Sequence, residues 1–316
     1  MIETRMQFKD FFWLDLCNPS LEHLEKLAVE YKLHSTSVQD CLEPEHLPKF
    51  EHFDDMNFVI LRAVDSESVE NSSADTVTEL TRKLAIFYGP GYLITVHRTE
   101  QSYLNSVMAR WKARENMSCS IQLVFVDIFH EVIRTFDRPV ALCFNQLEAI
   151  EEEIFGSGGR RKFKMREGYY LKRKISVFKR ILRASLEPLL HTMGSADKKN
   201  RPHFQNVRER MDGVFFNAEE ISESISSLLN LHISLSSQRT NEASRRTNEV
   251  MRILTIFSCF FLPINFIASI YGMNFKFIPE TEWQYGYFLS LGLMLSVVIG
   301  IFIWFRRRGW LSGTGL

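Results

Sequence analysis

Residues 246–274 read RTNEVMRILTIFSCFFLPINFIASIYGMN, and the rest of the chain is understood from this stretch. No residue from Ile253 to Phe275, a run of 23, carries a formal charge. A helix rises 1.5 Å per residue, so about 20 residues cross a 30 Å hydrocarbon core and this run is long enough to span a bilayer. Polar side chains recur along it and just before it at Asn248, Thr255, Ser258, Asn265 and Ser269, interleaved with Met251, Leu262 and Gly272. At about 100° per residue these eight positions fall within an arc of roughly 120°. Leu254 and Phe266 stand at its edges, and Ile253, Ile256, Phe260, Ile264 and Ile267 make up part of the greasy remainder.

An unpaired amide or hydroxyl in hydrocarbon costs several kcal/mol, so a polar stripe in a membrane helix must face protein or water. Two readings follow from the residues. The hydroxyls can bond back to helix carbonyls while the asparagines glue helices together. Alternatively the stripe, repeated around a symmetry axis, is the wall of a pore, which requires an oligomer because one stripe encloses nothing.

Several short motifs here resemble one family. Thr247-Asn248-Glu249-Val250-Met251, the bend at Phe261-Leu262-Pro263, Tyr271-Gly272-Met273-Asn274, and Ile278-Pro279-Glu280 ahead of Trp283 and Tyr285-Gly286-Tyr287 are similar to the CorA divalent-cation channels. The Gly-Met-Asn triplet is short, but its place after the first of two C-terminal apolar runs makes it specific. The resemblance is tight over about the last 70 residues and loose over about the first 200.

The composition alone would suit a soluble protein: 316 residues, 38 basic against 38 acidic side chains, and 45% hydrophobic. That average hides a concentration of apolar residues after Met251. The balanced charge gives no reason to expect a nucleic-acid partner. Met1 to Asp10 has no apolar core of the kind a cleavable signal needs. Cys17, Cys41, Cys119, Cys143 and Cys259 show no Cys-x-x-Cys spacing and are expected to be reduced and packed. The nine histidines are dispersed, without metal-ligand spacing.

From the beginning of the chain, a strand is expected over Phe11 to Leu16 and a helix over Leu21 to Tyr31. Ser37 to Leu42 followed by Pro48-Lys49-Phe50 resembles the family's N-terminal signature, which implies a short helix leading to a Pro-Lys pair and then a strand. Further strands are expected at Asn57 to Val64, Thr78 to Tyr88 and Tyr92 to His97, the last two joined by the turn formers Gly89-Pro90-Gly91. Gln101 to Arg114 reads as helix. This makes a mixed α/β domain over 1–118.

A helical hairpin follows over 119–202. Its arms are Ile121 to Phe155, with a possible kink at Asp137-Arg138-Pro139, and Met165 to Met193; they join at Gly156-Ser157-Gly158-Gly159. Its basic residues, among them Arg160, Arg161, Lys162, Lys164, Arg173 and Lys179, read most simply as a solvated face pairing with Glu148, Glu151, Glu152 and Glu153. From His203 to Tyr271 a single helix would be roughly 100 Å long, with its stalk over 203–250. Within the stalk, Arg239-Thr240-Asn241-Glu242 repeats seven residues later as Arg246-Thr247-Asn248-Glu249, and beside the family this looks like one extra heptad.

The two membrane helices occupy 251–316. The second, Tyr285 to Phe305, ends in Arg306-Arg307-Arg308, and Arg245, Arg246 and Arg252 precede the first. The positive-inside rule then puts both termini in the cytosol and a short loop outside. The expected fold class is therefore α+β: an N-terminal mixed α/β cytosolic domain, a helical hairpin, a stalk helix and two C-terminal transmembrane helices.

The resemblance implies a homopentamer in the inner membrane that conducts hydrated Mg²⁺, with Co²⁺ or Ni²⁺ as companions and no organic cofactor. It implies a selectivity filter at Gly272, Met273 and Asn274, with the Asn274 amide as the metal-facing group. Asn248, Thr255, Ser258, Asn265 and Ser269 would line rings below it, and Met251, Leu254 and Leu262 would be constrictions. Mg²⁺ holds its water tightly, so neutral oxygens can take the hydrated ion without stripping it. Glu280 and Glu282 would attract cations outside.

Departures from the family pattern are informative. Asn265 stands where relatives commonly have Thr, Ser269 where many have Gly, and Ile278 replaces a Met. Asn206 occupies the place of an Asp that helps relatives bind regulatory Mg²⁺, so that feedback is in doubt and the regulatory metal site is not identified. Asp212, Glu219, Glu220 and Glu223 are nearby substitutes. Two other functions remain open: a ZntB-type zinc transporter, and a membrane-anchored sensor whose helices only tether it. Dispersed acids and the lack of a nucleotide loop argue against an enzyme.

Overall fold

The computed structural model describes residues 2–65, 68, 74–115, 117–155, 163–274 and 283–310. Chain contacts divide it into two compact units, Met1–His232 and Ile233–Leu316.

The first unit is built on a six-stranded sheet. Its strands are β1 (Ile2–Gln7), β2 (Phe12–Cys17), β3 (Lys49–Phe53), β4 (Met56–Val64), β5 (Thr81–Gly89) and β6 (Tyr92–His97), in the spatial order β1-β2-β6-β5-β4-β3. Only β2 and β6 are parallel; the other neighbours run antiparallel. Side chains alternate across the pleat, so Phe58 and Ile60 enter one core while Val59 and Leu61 enter the other. The first core is closed by α1 (Leu21–Tyr31) and α2 (Ser35–Leu42), through Leu24, Leu27, Val38 and Cys41. Across the sheet, α4 (Ser102–Lys112) and α5 (Ile121–Arg134) cover the second core with Val107, Trp111, Phe125 and Phe129.

The β5–β6 turn follows the expected chemistry. Gly89 and Tyr92 are register partners, Pro90 sits at the first corner and Gly91 takes φ +84° at the second, a backbone state that favours glycine.

Three local expectations are corrected. The strand foreseen from Thr78 begins at Thr81, because Val77–Leu80 forms a helical turn, α3, closed by a Thr76–Glu79 capping box. The edge strands β1 and β3 were not foreseen: β1 exposes five of its six residues and β3 buries none fully, so neither shows strong hydrophobic alternation. Cys259 is exposed rather than packed; all five cysteines are free thiols.

The helical region begins with α5 and α6 (Asp137–Phe155). They part at Thr135-Phe136, just ahead of the foreseen kink. Thr135 Oγ1 donates to the Val132 carbonyl at 2.6 Å and accepts the Val64 amide at 2.9 Å, which pins the break to the end of β4. After it come α7 (Met165–Gly194) and α8 (Arg201–Tyr271). Two basic residues of α7 pair outside the hairpin: Arg173 reaches Asp75 at 3.2 Å and Lys179 reaches Glu219 at 3.0 Å. The Gly156–Gly159 junction with Arg160, Arg161 and Lys162 lies outside the described residues.

The second unit contains the remainder of α8 and α9 (Gly286–Arg307). Both helices are long and apolar enough to cross a membrane.

Candidate functional site

Two faces of α8 decide what the second unit can do. Ile256, Phe260, Pro263, Ile264, Ile267 and Tyr271 are half-buried, and they recur at helical spacing. They face α9, whose own covered side is Gly286, Ser290, Met294, Val297, Val298, Ile301 and Phe305. Phe260 meets Phe305 with ring centroids 5.9 Å apart.

The polar stripe occupies the other side. Asn248, Met251, Leu254, Thr255, Ser258, Leu262, Asn265 and Ser269 are all exposed within the protomer. At about 100° per residue the centre of the stripe lies about 170° from the centre of the covered face. Packing with α9 therefore uses the isoleucines and phenylalanines and leaves the amides and hydroxyls without that cover. Thr255 Oγ1 donates to the Met251 carbonyl at 2.7 Å, the back-bonding foreseen for the hydroxyls. An asparagine amide has no comparable local outlet in a helix, so Asn248 and Asn265 still need a partner in water or protein.

An open groove of about 740 Å³ runs beside the stripe, lined by Thr255, Ser258, Leu262 and Phe266 of α8 with Ile301 and Trp304 of α9. At the C-terminal end of α8 Gly272 donates its amide to the Ala268 carbonyl at 3.0 Å and Met273 to the Ile270 carbonyl at 3.3 Å. A Cβ on Gly272 would stand 3.3 Å from the Ala268 oxygen, so a side chain is crowded there. Met273 and Asn274 follow, both exposed. Glu280 and Glu282 lie outside the described residues.

In the first unit Asn206 is exposed on α8. Of its acidic neighbours, Glu219 is paired with Lys179 and Asp212 lies 3.8 Å from Arg208, while Glu220 and Glu223 are exposed.

One cluster escaped the sequence reading. Asp40, Glu43 and His46 bring their oxygens and ring nitrogen within 4.8 Å of one another, a grouping that could hold a cation. His46 Nε2 lies 2.9 Å from both carboxylates, and Lys49 Nζ takes the second Asp40 oxygen at 2.5 Å and Glu51 at 2.7 Å. Burial lowers the Lys49 pKa, but its hydrogen bonds to Asp40 and Glu51 and their charges outweigh it and the net shift is upward. The group works as an ion-paired corner closing α2. Its i, i+3, i+6 spacing is legible only once α2 is known to end at Leu42.

Comparison with known proteins gives this arrangement its context. The family model described as CorA-like Mg2+ transporter protein matches residues 8–307. The chain belongs to that family. Among its relatives, YfjQ of Bacillus subtilis is 28% identical over 96% of this chain and 90% of its own length. The cobalt/magnesium transport protein CorA of Thermotoga maritima is 24% identical over 98% of this chain and 87% of its own. In fold, the complete CorA magnesium transporter from Methanocaldococcus jannaschii superposes with a TM-score of 0.61 at 22% identity, covering 96% of this chain and 92% of that one. The ZntB cytoplasmic domain from Vibrio parahaemolyticus gives 0.59 at 14% identity, covering 75% and 98%.

As a CorA-family protein the chain is a membrane transporter of divalent cations, not an enzyme. The sheet domain, the long helix and the two C-terminal apolar helices are the architecture that the resemblance implied.

Proposed function

We propose that this CorA-family chain assembles as a homopentamer and conducts hydrated Mg²⁺ through a pore walled by the polar stripe of α8. The observation that carries the reading is the opposition of the two α8 faces: the isoleucine side is covered by α9 and the asparagine side is exposed. Exposed amides at membrane depth need a shared aqueous centre, and copies arranged about an axis supply one. The groove beside Ser258 and Trp304 is where a neighbouring copy would pack.

In this reading Gly272, Met273 and Asn274 form the outer filter, with one Asn274 amide oxygen per copy holding the hydration shell of the ion. Asn248, Thr255, Ser258, Asn265 and Ser269 line the path, and Met251, Leu254 and Leu262 narrow it. The stripe contains no carboxylate, so nothing in it competes strongly for the ion's inner water. Co²⁺ and Ni²⁺, similarly hydrated, are expected companions. Both termini face the cytosol, with 1–118, the 119–202 hairpin and the 203–250 stalk inside and 251–316 in the inner membrane. Glu280 and Glu282 attract cations at the outer mouth.

Zinc transport of the ZntB kind is the second reading: Ile278 in place of the family's Met leaves room for it, while Pro279-Glu280 favours the first. Flux into liposomes separates the two. Mg²⁺ should enter faster than Zn²⁺ and Asn274→Ala should abolish its passage; Zn²⁺ preference, or undiminished Mg²⁺ flux in the variant, contradicts the proposal.

A further inference from the structure

The first unit holds a cavity of about 350 Å³ between the end of α2 and the β4, β5 and β6 strands. Such a volume falls in the range of small-molecule sites. Arg62, Arg82, Lys83, His97 and Arg98 line it; among the described residues no Asp or Glu does, nor any Phe, Tyr or Trp.

Two of the five charges are matched. Arg82 pairs with Asp65 at 2.5 Å, and His97 Nε2 lies 3.2 Å from Asp15. Among the described residues the other three donate only to neutral oxygens. Arg62, 2% exposed, donates Nε to Thr81 Oγ1 and Nη1 to the Pro44 and His46 carbonyls, each at 2.8 Å. Lys83 donates to the Asp40 and Glu43 carbonyls, and Arg98 to that of Leu42. Asp40's carboxylate is near, but Lys49 and His46 hold its two oxygens.

Capping the end of α2 explains part of this arrangement. A helix C-terminus carries roughly half a negative charge, against three full positive ones. The surplus is felt by the groups themselves. Burial, reinforced by Arg62 and Arg98, pushes Lys83 down to about 8 despite Cys41 and Asp40; burial and Arg82 push Arg62 down to about 10. A bound anion would relieve this crowding.

We propose that this cavity is a binding site for a small phosphate-type oxyanion carrying at least two negative charges, held by Lys83 and Arg98, with the buried charge of Arg62, whose own N–H groups are spent on protein oxygens, behind them. Without a flat aromatic wall, the charged group itself is what the site recognises. The hydroxyls of Thr78 and Thr99, which also line the cavity, add neutral donors of the kind phosphate oxygens accept. Because the site lies wholly in the first unit, the proposal is independent of how the pore is built.

The test is calorimetric titration of the full-length protein in detergent with pyrophosphate, and separately orthophosphate, in Mg²⁺-free buffer containing 150 mM chloride. Pyrophosphate should bind one per chain and more tightly than orthophosphate, and Lys83→Gln and Arg98→Gln should each weaken it at least tenfold. A second measurement uses the unaltered protein: pyrophosphate should slow acetylation of Lys83, read by mass spectrometry, while exposed Lys26 reacts as before. No binding in chloride, undiminished binding in both variants, or Lys83 acetylation unaffected by pyrophosphate would overturn the proposal.

Discussion

Phe260 of α8 and Phe305 of α9 meet with ring centroids 5.9 Å apart and planes tilted by 41°, and this contact belongs to the face of α8 that turns away from Asn248 and Asn265. The proposed split between residues that line the ion path and residues that hold the helices together rests on that division.

Substitutions on the two faces should therefore separate. Asn265→Leu removes an amide of the proposed pore wall and should lower Mg²⁺ flux in liposomes by roughly tenfold or more, about 1.4 kcal/mol in barrier. Ile264→Leu, one residue away on the covered face, should leave flux within about twofold, since volume-conserving swaps cost little. Equal losses in the two would contradict the assignment of faces.

The repeated tetrads give a prediction about length. Removing the seven residues 239–245 turns the helix by about 20° and keeps stalk and stripe nearly in phase; removing five turns it by about 140°. The seven-residue deletion should still transport Mg²⁺, and the five-residue deletion should not. Both are read as flux against the amount of oligomer recovered.

His97 supplies a pH test of the first unit. Its Nδ1 lies 2.7 Å from the Thr99 carbonyl and its Nε2 3.2 Å from Asp15, two acceptors that require a proton on each nitrogen. Burial would lower its pKa, but the Asp15 hydrogen bond and charge and the Thr99 carbonyl outweigh it, so the folded value is raised. A raised folded pKa stabilises fully below the unfolded value of about 6.5, and this contribution is lost as pH rises through the folded value. Melting temperature should fall as pH rises across that window. Asp15→Asn should flatten this dependence and destabilise by about 3 kcal/mol, since a buried charge loses its partner; an unchanged pH profile in the variant would rule out the pairing.

Asn206 bears on regulation. If its amide is why an internal Mg²⁺ ion fails to bridge copies, Asn206→Asp should make transport fall as internal Mg²⁺ rises, whereas the parent should respond weakly. Liposomes loaded with graded Mg²⁺ read this directly, and a parent already closed by internal Mg²⁺ would refute the role given to Asn206.

Much of the architecture was legible because it depends on periodicity. The 23-residue uncharged run, the Leu21–Tyr31 helix and the Gly-Pro-Gly turn each state their structure locally. β1 and β3 did not, because β1 is mostly exposed and β3 is half-buried along most of its length, so neither edge strand has a clear alternation to show. The stripe was visible as a set of angles, but which face α9 covers was not, since that depends on a contact between Phe260 and Phe305, 45 positions apart in the chain. The cationic cavity stayed hidden for a similar reason: Arg62, Lys83 and Arg98 come from three strands or their ends, and only the sheet order brings them together.

The central claim is that the asparagine face of α8 meets water at membrane depth. In a Cys259→Ala background, single cysteines at positions 255, 258, 262, 265 and 269, compared with 256, 260, 264 and 267, should be challenged with a charged, membrane-impermeant thiol reagent in reconstituted protein. The account predicts that the first set is modified, with Mg²⁺ flux blocked as modification proceeds, while the second set is spared. Equal modification of both sets, or flux unaffected by labelling at positions 258 and 265, would contradict it.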